Sequence, residues 1–409
     1  MKKFHGSLDL DNLFNVLSRV PTNNLLHFKC ISEEWYYIIS NNRSFIKVHL
    51  ENTESTLSGF IFQEKFICSN EDIKKISYMN NTSLERHHDN QDTRSNATIH
   101  HEMFSFLPQD VVVLSSCNGL VCCRSCSVFS SPTKTTLYIC NPTNKQWLSL
   151  GCLDYSKHES IVLTFDPYKD PIDNSTKFHL VRLKKVEIEK ENEREEDQDE
   201  DGVELSHYFT FELYSSTTKL WKKSDEICYY DGSIKKQGIY IGNVLYWLTD
   251  ADQILTFDLE NQLSLVISTP IPSEEFKAIQ EACIGEWKGI LCYLVITEHG
   301  LHVWHLEDYY EAKWELKFWK SLEDIERENP KFFLNLKNHV LRRVASHQNL
   351  WMDPLSFKDG VLLMKVFVHV YFYDIGKNLM VKACNIQDLS TNSLPCPIVL
   401  PYSLSLVPL

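Results

Sequence analysis

Four cysteines crowd the stretch "CNGLVCCRSC", Cys117 to Cys126, and Cys123 with Cys126 has the Cys-x-x-Cys spacing of a metal clamp or a redox pair. On a strand, Cys122 and Cys123 point to opposite faces, so these thiols do not converge on one ion without a bulge. Small buried core residues are the expected role. His299, His302 and His305 scatter in the same way across both faces of a strand pair. The doublets His87-His88 and His100-His101 have no cysteine or second ligand pair at a zinc-site spacing beside them. "DQDEDG", Asp197 to Gly202, matches the first half of a calcium loop, but the twelfth position needs a bidentate Glu and holds Tyr208. The sequence has no Gly-x-Ser-x-Gly, His-Glu-x-x-His or Gly-rich phosphate loop. Paired carboxylates for glycoside chemistry are not legible from spacing, because the separation they need is spatial. The expectation is a chain without catalytic residues, metal or cofactor.

The composition sets what could position such side chains. A chain of 409 residues that is 43% hydrophobic can bury a large core in more than one domain. The opening "MKKFHGSLDLDN" has two lysines but no apolar run behind them, and no segment approaches a membrane span. Cytoplasm and/or nucleus is the expected compartment, with the 13 cysteines as reduced thiols. The formal charge is −14, but Glu187–Glu204 alone carries −9, which leaves an ordinary −5 elsewhere. With no basic stripe to neutralise phosphates, no nucleic-acid partner is expected, and no membrane partner either. The acidic run itself, residues 187–204, reads as a solvated loop between two strands, because like charges repel and nothing there can be buried.

Near the N-terminus the pattern is helical. Leu10, Leu13, Phe14 and Leu17 share one stripe, which Pro21 ends. Thr22 or Asn23 is the expected cap of the next helix. In "LLHFKCISEEWYYII", residues Leu25, Phe28, Ile31, Trp35 and Ile38 recur at helical steps, so Leu25 to Ile39 reads as one helix. Leu26, Cys30, Tyr37 and Ile39 make a second face apolar. "RSFIKVHL" closes the region near Leu50. A unit this short, ending near residue 50, is at the lower limit for independent folding, so something else must cover its second face.

These residues carry a resemblance. The run "LFNVLSRVPTNNLLHFKCISEEWYYIISNNRSFIKVHL" is similar to an F-box, in order and spacing over Leu13 to Leu50. Two positions depart from the pattern: Leu8-Asp9 stands where Leu-Pro is usual, and Glu33-Glu34 replaces a commonly basic pair. The resemblance implies docking on the Skp adaptor of a cullin-type ubiquitin ligase through Leu8, Leu10, Leu13, Phe14, Leu17, Pro21, Leu25, Leu26, Phe28, Ile31, Trp35 and Ile38.

Residues 69–106 turn polar and read as a loop. Beyond Pro108 short strands recur. "GLVCCRS" with "LYICNPTNKQWLSL" is echoed by "GNVLYWL" with "ILTFDLENQLSLV", by "GILCYLVI" with "LHVWHLEDYYEAKWEL", and by "GVLLMKV" with "VYFYDIGKNLMVKAC". "FHLVRL" with "FTFELYSSTTKLWKKS" is a weaker copy. Strand repeats of roughly fifty residues without a helical period are the pattern of propeller blades, each burying its faces by stacking on neighbours. An Asp or Asn after the third strand suits a tight turn. About six blades are expected, within a range of roughly five to seven. Ile61 to Cys68 is the candidate to close the ring by pairing with "PIVLPYSLSLV". This part resembles the F-box-associated, kelch-like domain of plant F-box proteins, through "LSSCNGLVCC", "LYICNPTNKQW" and "YSLSLVPL".

The expected architecture is thus an α+β multidomain chain, with an F-box over 1–50 and a kelch-like β-propeller over 51–409. What the two resemblances imply is a substrate receptor of a Skp-cullin-F-box ubiquitin ligase, holding an unknown target protein in the propeller and needing no catalytic residue of its own. A non-degradative scaffold and a carbohydrate-binding or hydrolytic propeller stay open as alternatives.

Overall fold

The structure is a computed structural model that describes residues 10–53, 56–64, 75–82, 84, 97–126, 134–154, 159–169, 172, 175–188, 207–250, 252–271, 281–346, 352–389 and 397–409. Four short helices come first: α1 (Leu10–Leu17), α2 (Thr22–Phe28), α3 (Glu33–Asn41) and α4 (Arg43–Asn52).

The stretch expected as one helix is two. The N–H groups of Cys30 and Ile31 donate to the carbonyls of His27 and Phe28, tightening the end of α2. Ser32 then restarts the helix, its Oγ accepting from Trp35 N–H at 3.2 Å. Glu33 and Glu34 fill the first turn of α3, where the helix dipole favours acids, and this accounts for the acidic pair. Asn42 caps α4 in the same manner, with Oδ1 accepting from Phe45 N–H at 3.0 Å. The cap of α2 is Pro21, not Thr22 or Asn23, and it makes no side-chain bond; its ring fixes φ near the −52° observed.

Beyond the helices the chain is built mainly on antiparallel strands. The first three are β1 (Gly59–Gln63), β2 (Ile76–Asn80) and β3 (Ile99–His100). Strand β2 lies inside 69–106, a span expected to be loop throughout. Its residues Ile76 to Met79 are all buried, so a polar composition around it concealed a short apolar strand. Three four-stranded sheets come next. They are β4 (Val111–Cys117), β5 (Leu120–Ser125), β6 (Lys134–Asn141) and β7 (Gln146–Asp154); β8 (Ser160–Thr164), β9 (His179–Glu187), β10 (His207–Ser215) and β11 (Leu220–Cys228); and β12 (Ile234–Ile241), β13 (Val244–Thr249), β14 (Gln253–Asp258) and β15 (Leu263–Ser268).

An eight-stranded sheet contains β16 (Ala282–Trp287), β17 (Ile290–Thr297), β18 (Gly300–Asp308), β19 (Lys313–Ser321), β20 (Met352–Lys358), β21 (Val361–Val366), β22 (His369–Asp374) and β23 (Leu379–Asn385). Its halves join only where β16 and β20 run parallel, at Gly285 beside Phe357 and Glu286 beside Lys358. Finally β24 (Ile398–Tyr402) pairs with β1, giving a sheet in the order β24-β1-β2-β3. The pairing runs from Gly59 opposite Tyr402 to Gln63 opposite Ile398, so strands from both ends of the sequence close one sheet; of the expected strand Ile61 to Cys68 only Ile61 to Gln63 take part, and residues 65–68 lie outside the described residues.

The turn expected between third and fourth strands recurs with one mechanism. Asn141, Asp258 and Asp308 each accept a bond from the backbone N–H two positions on, at 2.8–2.9 Å, and Asp374 accepts from Lys377 N–H. The residue completing the turn sits in the left-handed region at Lys145, Gln262, Ala312 and Asn378, with φ of 49–59°.

Three further helical segments were not expected. Between β19 and β20 lie α5 (Leu322–Glu328) and α6 (Leu336–Ala345), and after β23 comes the single turn α7 (Ile386–Leu389). Ser321 caps α5 through Asp324 N–H, and Leu322, Ile325, Leu336, Val340 and Val344 bury their apolar faces in one cluster with Phe357, Met364 and Tyr371. The acidic span 187–204 lies outside the described residues except for its first two positions.

Candidate protein-binding surfaces

The helical unit has two apolar faces, and the chain itself covers one of them. Leu13, Leu17, Leu25, Ile38, Ile39, Phe45 and Ile46 share a single hydrophobic cluster with Cys117, Leu120, Phe165, Leu180, Leu406 and Val407 of the strand region. Burying such side chains is worth roughly 1.5–3 kcal/mol each. Arg43 Nη1 also donates to the Ile172 carbonyl at 2.9 Å. The F-box region therefore stands on the propeller as part of one core. His49 is buried between α4 and the α1–α2 turn, its Nε2 2.9 Å from the Val20 carbonyl, and burial pulls its pKa below the ordinary value.

The expected contact residues divide accordingly. Leu13, Leu17, Leu25 and Ile38 are buried inside the unit, where they shape the surface from beneath. Phe14, Leu26, Phe28 and Trp35 are half-buried; Phe28 and Trp35 meet edge to face with centroids 5.6 Å apart, and Phe14 meets Phe45 at 5.1 Å. Pro21 and Ile31 are exposed. Leu10 lies on α1, and Leu8 falls outside the described residues. Val16, Tyr36 and Tyr37, outside the expected contact set, are also exposed, at 64%, 54% and 61%, as is Ile31 at 58%. Tyr37 had a place on the second apolar face read from the sequence; Val16 and Tyr36 did not, although both fall off the core stripes of α1 and α3.

The residues with metal or redox spacing do not converge. Cys122 and Cys123 are both fully buried, but on opposite faces of β5, one packing with Leu137 and Ile139, the other with Val113 and Tyr138. Burial pushes the Cys117 thiol up to about 12, so it is neither a thiolate nor a ready ligand near neutrality. His302 lies against Trp319, while His305 meets Trp287 edge to face. His100 stacks on Tyr78, and His101 Nδ1 is 2.9 Å from Ser77 Oγ. His87 and His88 fall outside the described residues. Among the described residues no group of three or more His, Cys, Asp or Glu side chains could hold a metal ion. No described helix is long and apolar enough to cross a membrane.

The strand region encloses a second surface. Strands β4, β8, β12, β16, β20 and β24 pack each on the next in that order, and β24 returns to β4. Of these, β16 and β20 run parallel. At the C-terminal ends of the ring strands Cys117 Sγ and Asn118 Nδ2 both reach the Phe165 carbonyl, and Lys358 Nζ pairs with Glu286 at 3.0 Å. At their N-terminal ends Lys235 Nζ donates to the Ala282 carbonyl and pairs with Glu281 at 3.4 Å. The ring surrounds a cavity of about 960 Å³ that reaches from Lys235 and Pro397 at one end to Asn118 and Lys358 at the other. Burial opposes the Lys358 charge, but Glu286 and Asp359 outweigh it and hold the ammonium above its ordinary pKa.

Comparison with known proteins agrees with this geometry. The F-box domain family matches residues 6–47, and the family described as F-box protein At3g26010-like, beta-propeller, matches residues 83–332. Among curated relatives from Arabidopsis thaliana, F-box protein At5g07610 is 25% identical over 328 residues, covering 78% of this chain and 71% of its own. F-box protein At5g49610 is 22% identical over 317 residues, 76% of this chain and 74% of its own. F-box/kelch-repeat protein At3g23880 is 25% identical over 272 residues, 62% of this chain and 63% of its own. Of solved structures, the computationally designed Ika8 protein aligns over 81% of this chain and 74% of its own at 10% identity and a TM-score of 0.32, too low to add to the assignment. With the helical unit, the strand ring and more than half of the sequence matched, the chain belongs to the At3g26010-like F-box protein β-propeller family.

Proposed function

We propose that this protein is a substrate-recognition subunit of a Skp-cullin-F-box ubiquitin ligase, binding the Skp adaptor, and through it the cullin, by its helical unit and a target protein by its propeller. The observation that carries the reading is the unequal treatment of two apolar faces. One is fused into the chain's own core, while Val16 on α1, Ile31 after α2 and Tyr36 and Tyr37 on α3 stand exposed, with Trp35 half-buried. Exposed apolar residues gathered on so small a unit suit a protein partner. The contact set is then Val16, Pro21, Ile31, Trp35, Tyr36 and Tyr37, with Leu13, Leu17, Leu25 and Ile38 supporting it from beneath. No chemistry is required of the chain itself; it raises the effective concentration of target lysines near the ubiquitin donor.

We count the eight-stranded sheet as two blades, because only two residue pairs join its halves, and so read a six-bladed, kelch-like ring. The kelch-repeat relative supports that reading. Cytoplasm and/or nucleus is the proposed compartment, in keeping with the free thiols of the described cysteines. The decisive experiment is co-purification of the Skp adaptor with the full chain and with Ile31→Asp. Capture by the parent and loss from the variant is the expected result, and equal capture by both sinks the assignment of this face.

A further inference from the structure

The geometry points to the central channel of the propeller as the site that takes an extended, uncharged peptide segment of the target, about five residues long. This rests on the receptor reading for the source of the peptide, but the channel itself is argued from its own walls.

Its polar groups are placed in two stations. At one end Lys365 Nζ pairs with Asp353 Oδ2 at 2.5 Å, and among the described residues Asp353 Oδ1 has no hydrogen-bond partner. At the other end the half-buried Lys358 ammonium, with three protons to donate, is bonded to Glu286 Oε2. Charged pairs partly withdrawn from water keep spare bonding capacity that a ligand's N–H and C=O groups can use. Asp353 and Lys358 stand five positions apart on the same strand, about 16 Å of extended chain. The lining also carries the apolar Ile239, Ile284, Leu355 and Val399, with the uncharged polar Gln237 and Ser356 among them.

Three features favour a peptide over other occupants. The cavity volume of 960 Å³ is ample for a five-residue segment. Four of its six wall strands, β4, β8, β12 and β24, are the inner edges of their sheets, whereas β16 and β20 pair with each other, and such edges offer backbone groups to an extended chain. The lysines of the channel, Lys235, Lys358 and Lys365, are each paired with an acid, so no net positive field awaits a polyanion. An uncharged segment with an apolar centre meets all three conditions.

The test pans a phage-displayed library of random linear heptapeptides on the full chain, then measures binding of the synthetic consensus peptide by fluorescence polarisation. The expected result is an uncharged linear consensus with an apolar centre. Its Kd should rise at least about tenfold in Gln237→Trp, which fills the channel from β12, and in Lys358→Met, which removes the ammonium. Both variants should melt within a few degrees of the parent; Leu355→Trp replaces either one that does not. Panning that enriches nothing, or a consensus peptide that binds parent and variants alike, overturns the proposal. Adaptor co-purification with the same proteins separates the two readings. Peptide binding without adaptor capture refutes the receptor role and leaves the channel, whereas adaptor capture without peptide binding refutes the channel alone.

Discussion

Arg43, in the last helix of the F-box region, donates from Nη1 to the backbone carbonyl of Ile172 at 2.9 Å, 129 positions further along the chain. That bond lies beside the cluster joining Leu17, Leu25 and Phe45 to Phe165, Leu406 and Val407. The helical unit and the propeller are held in one fixed relation, so in the proposed receptor a bound target would face the ligase in a set direction.

A first consequence is cooperative melting. The full chain should show the F-box helices and the propeller unfolding in one thermal transition, and a fragment beginning at residue 56 should aggregate, because it exposes Leu120, Phe165 and Leu406. Arg43→Ala should cost about 1–2 kcal/mol, since it removes a charged donor from a carbonyl. Calorimetry checks both; two resolved transitions would show that the units melt separately.

Buried and exposed residues of the F-box should respond differently to substitution. Leu17→Ala removes a side chain that is 1% exposed and should lose about 2–5 kcal/mol, with adaptor binding lost as a result of unfolding. Tyr37→Asp, on the exposed face, should leave the melting temperature within a degree or two while weakening adaptor capture. A Tyr37 variant that binds the adaptor as well as the parent does would remove that residue from the contact set.

The pH response of the same region should trace to His49. Burial lowers its pKa in the folded chain below the ordinary 6.5, so the unfolded chain binds the proton first. Its contribution is complete above about pH 6.5 and is lost as the pH falls below that value toward the folded pKa. His302 and His305 are lowered too, mainly by burial, so the measurement is a difference. The gap in melting temperature between parent and His49→Gln should narrow on acidification from pH 7 to pH 5, and a constant gap would contradict it.

Asn141 should matter more than an ordinary turn residue. Its Nδ2, fully buried, donates to the carbonyls of Ser405 at 3.0 Å and Val407 at 2.7 Å, while its Oδ1 accepts from Thr143 N–H. Asn141→Leu strands the Ser405 carbonyl in the core at about 1–3 kcal/mol, while the Val407 carbonyl keeps its bond from Asn144 Nδ2 at 2.9 Å. The segment 403–409 should then become the first to exchange its amide protons, which hydrogen exchange would resolve.

Local patterns made part of this molecule legible. The stripe of Leu13 and Leu17 marked α1, the Asp and Asn turns marked the blades, and Ile61 near the start of the strands marked the closing pair with Leu400. The division of α2 from α3 was hidden because the apolar spacing runs through the break, and only the capping geometry of Ser32 ends it. Helices α5 and α6 were open to detection, since Leu322 and Ile325 follow a Ser321 cap and Leu336, Val340 and Val344 keep helical spacing. The strand repeats around them drew attention away. The channel stations were beyond reach, because Asp353 meets Lys365 and Lys358 meets Glu286 only through strand pairing and blade order that no local pattern states.

The closing strand pair carries a further consequence for how the protein comes into being. Ser58 Oγ accepts from Leu404 N–H across 346 positions of sequence, and the F-box residues share their core with Leu406 and Val407. On a ribosome the first helices emerge long before those partners are made. Throughout translation β1 has an unpaired edge and the helical unit lacks its floor, so in the proposed receptor the adaptor-binding unit would be completed only after the last strand is made.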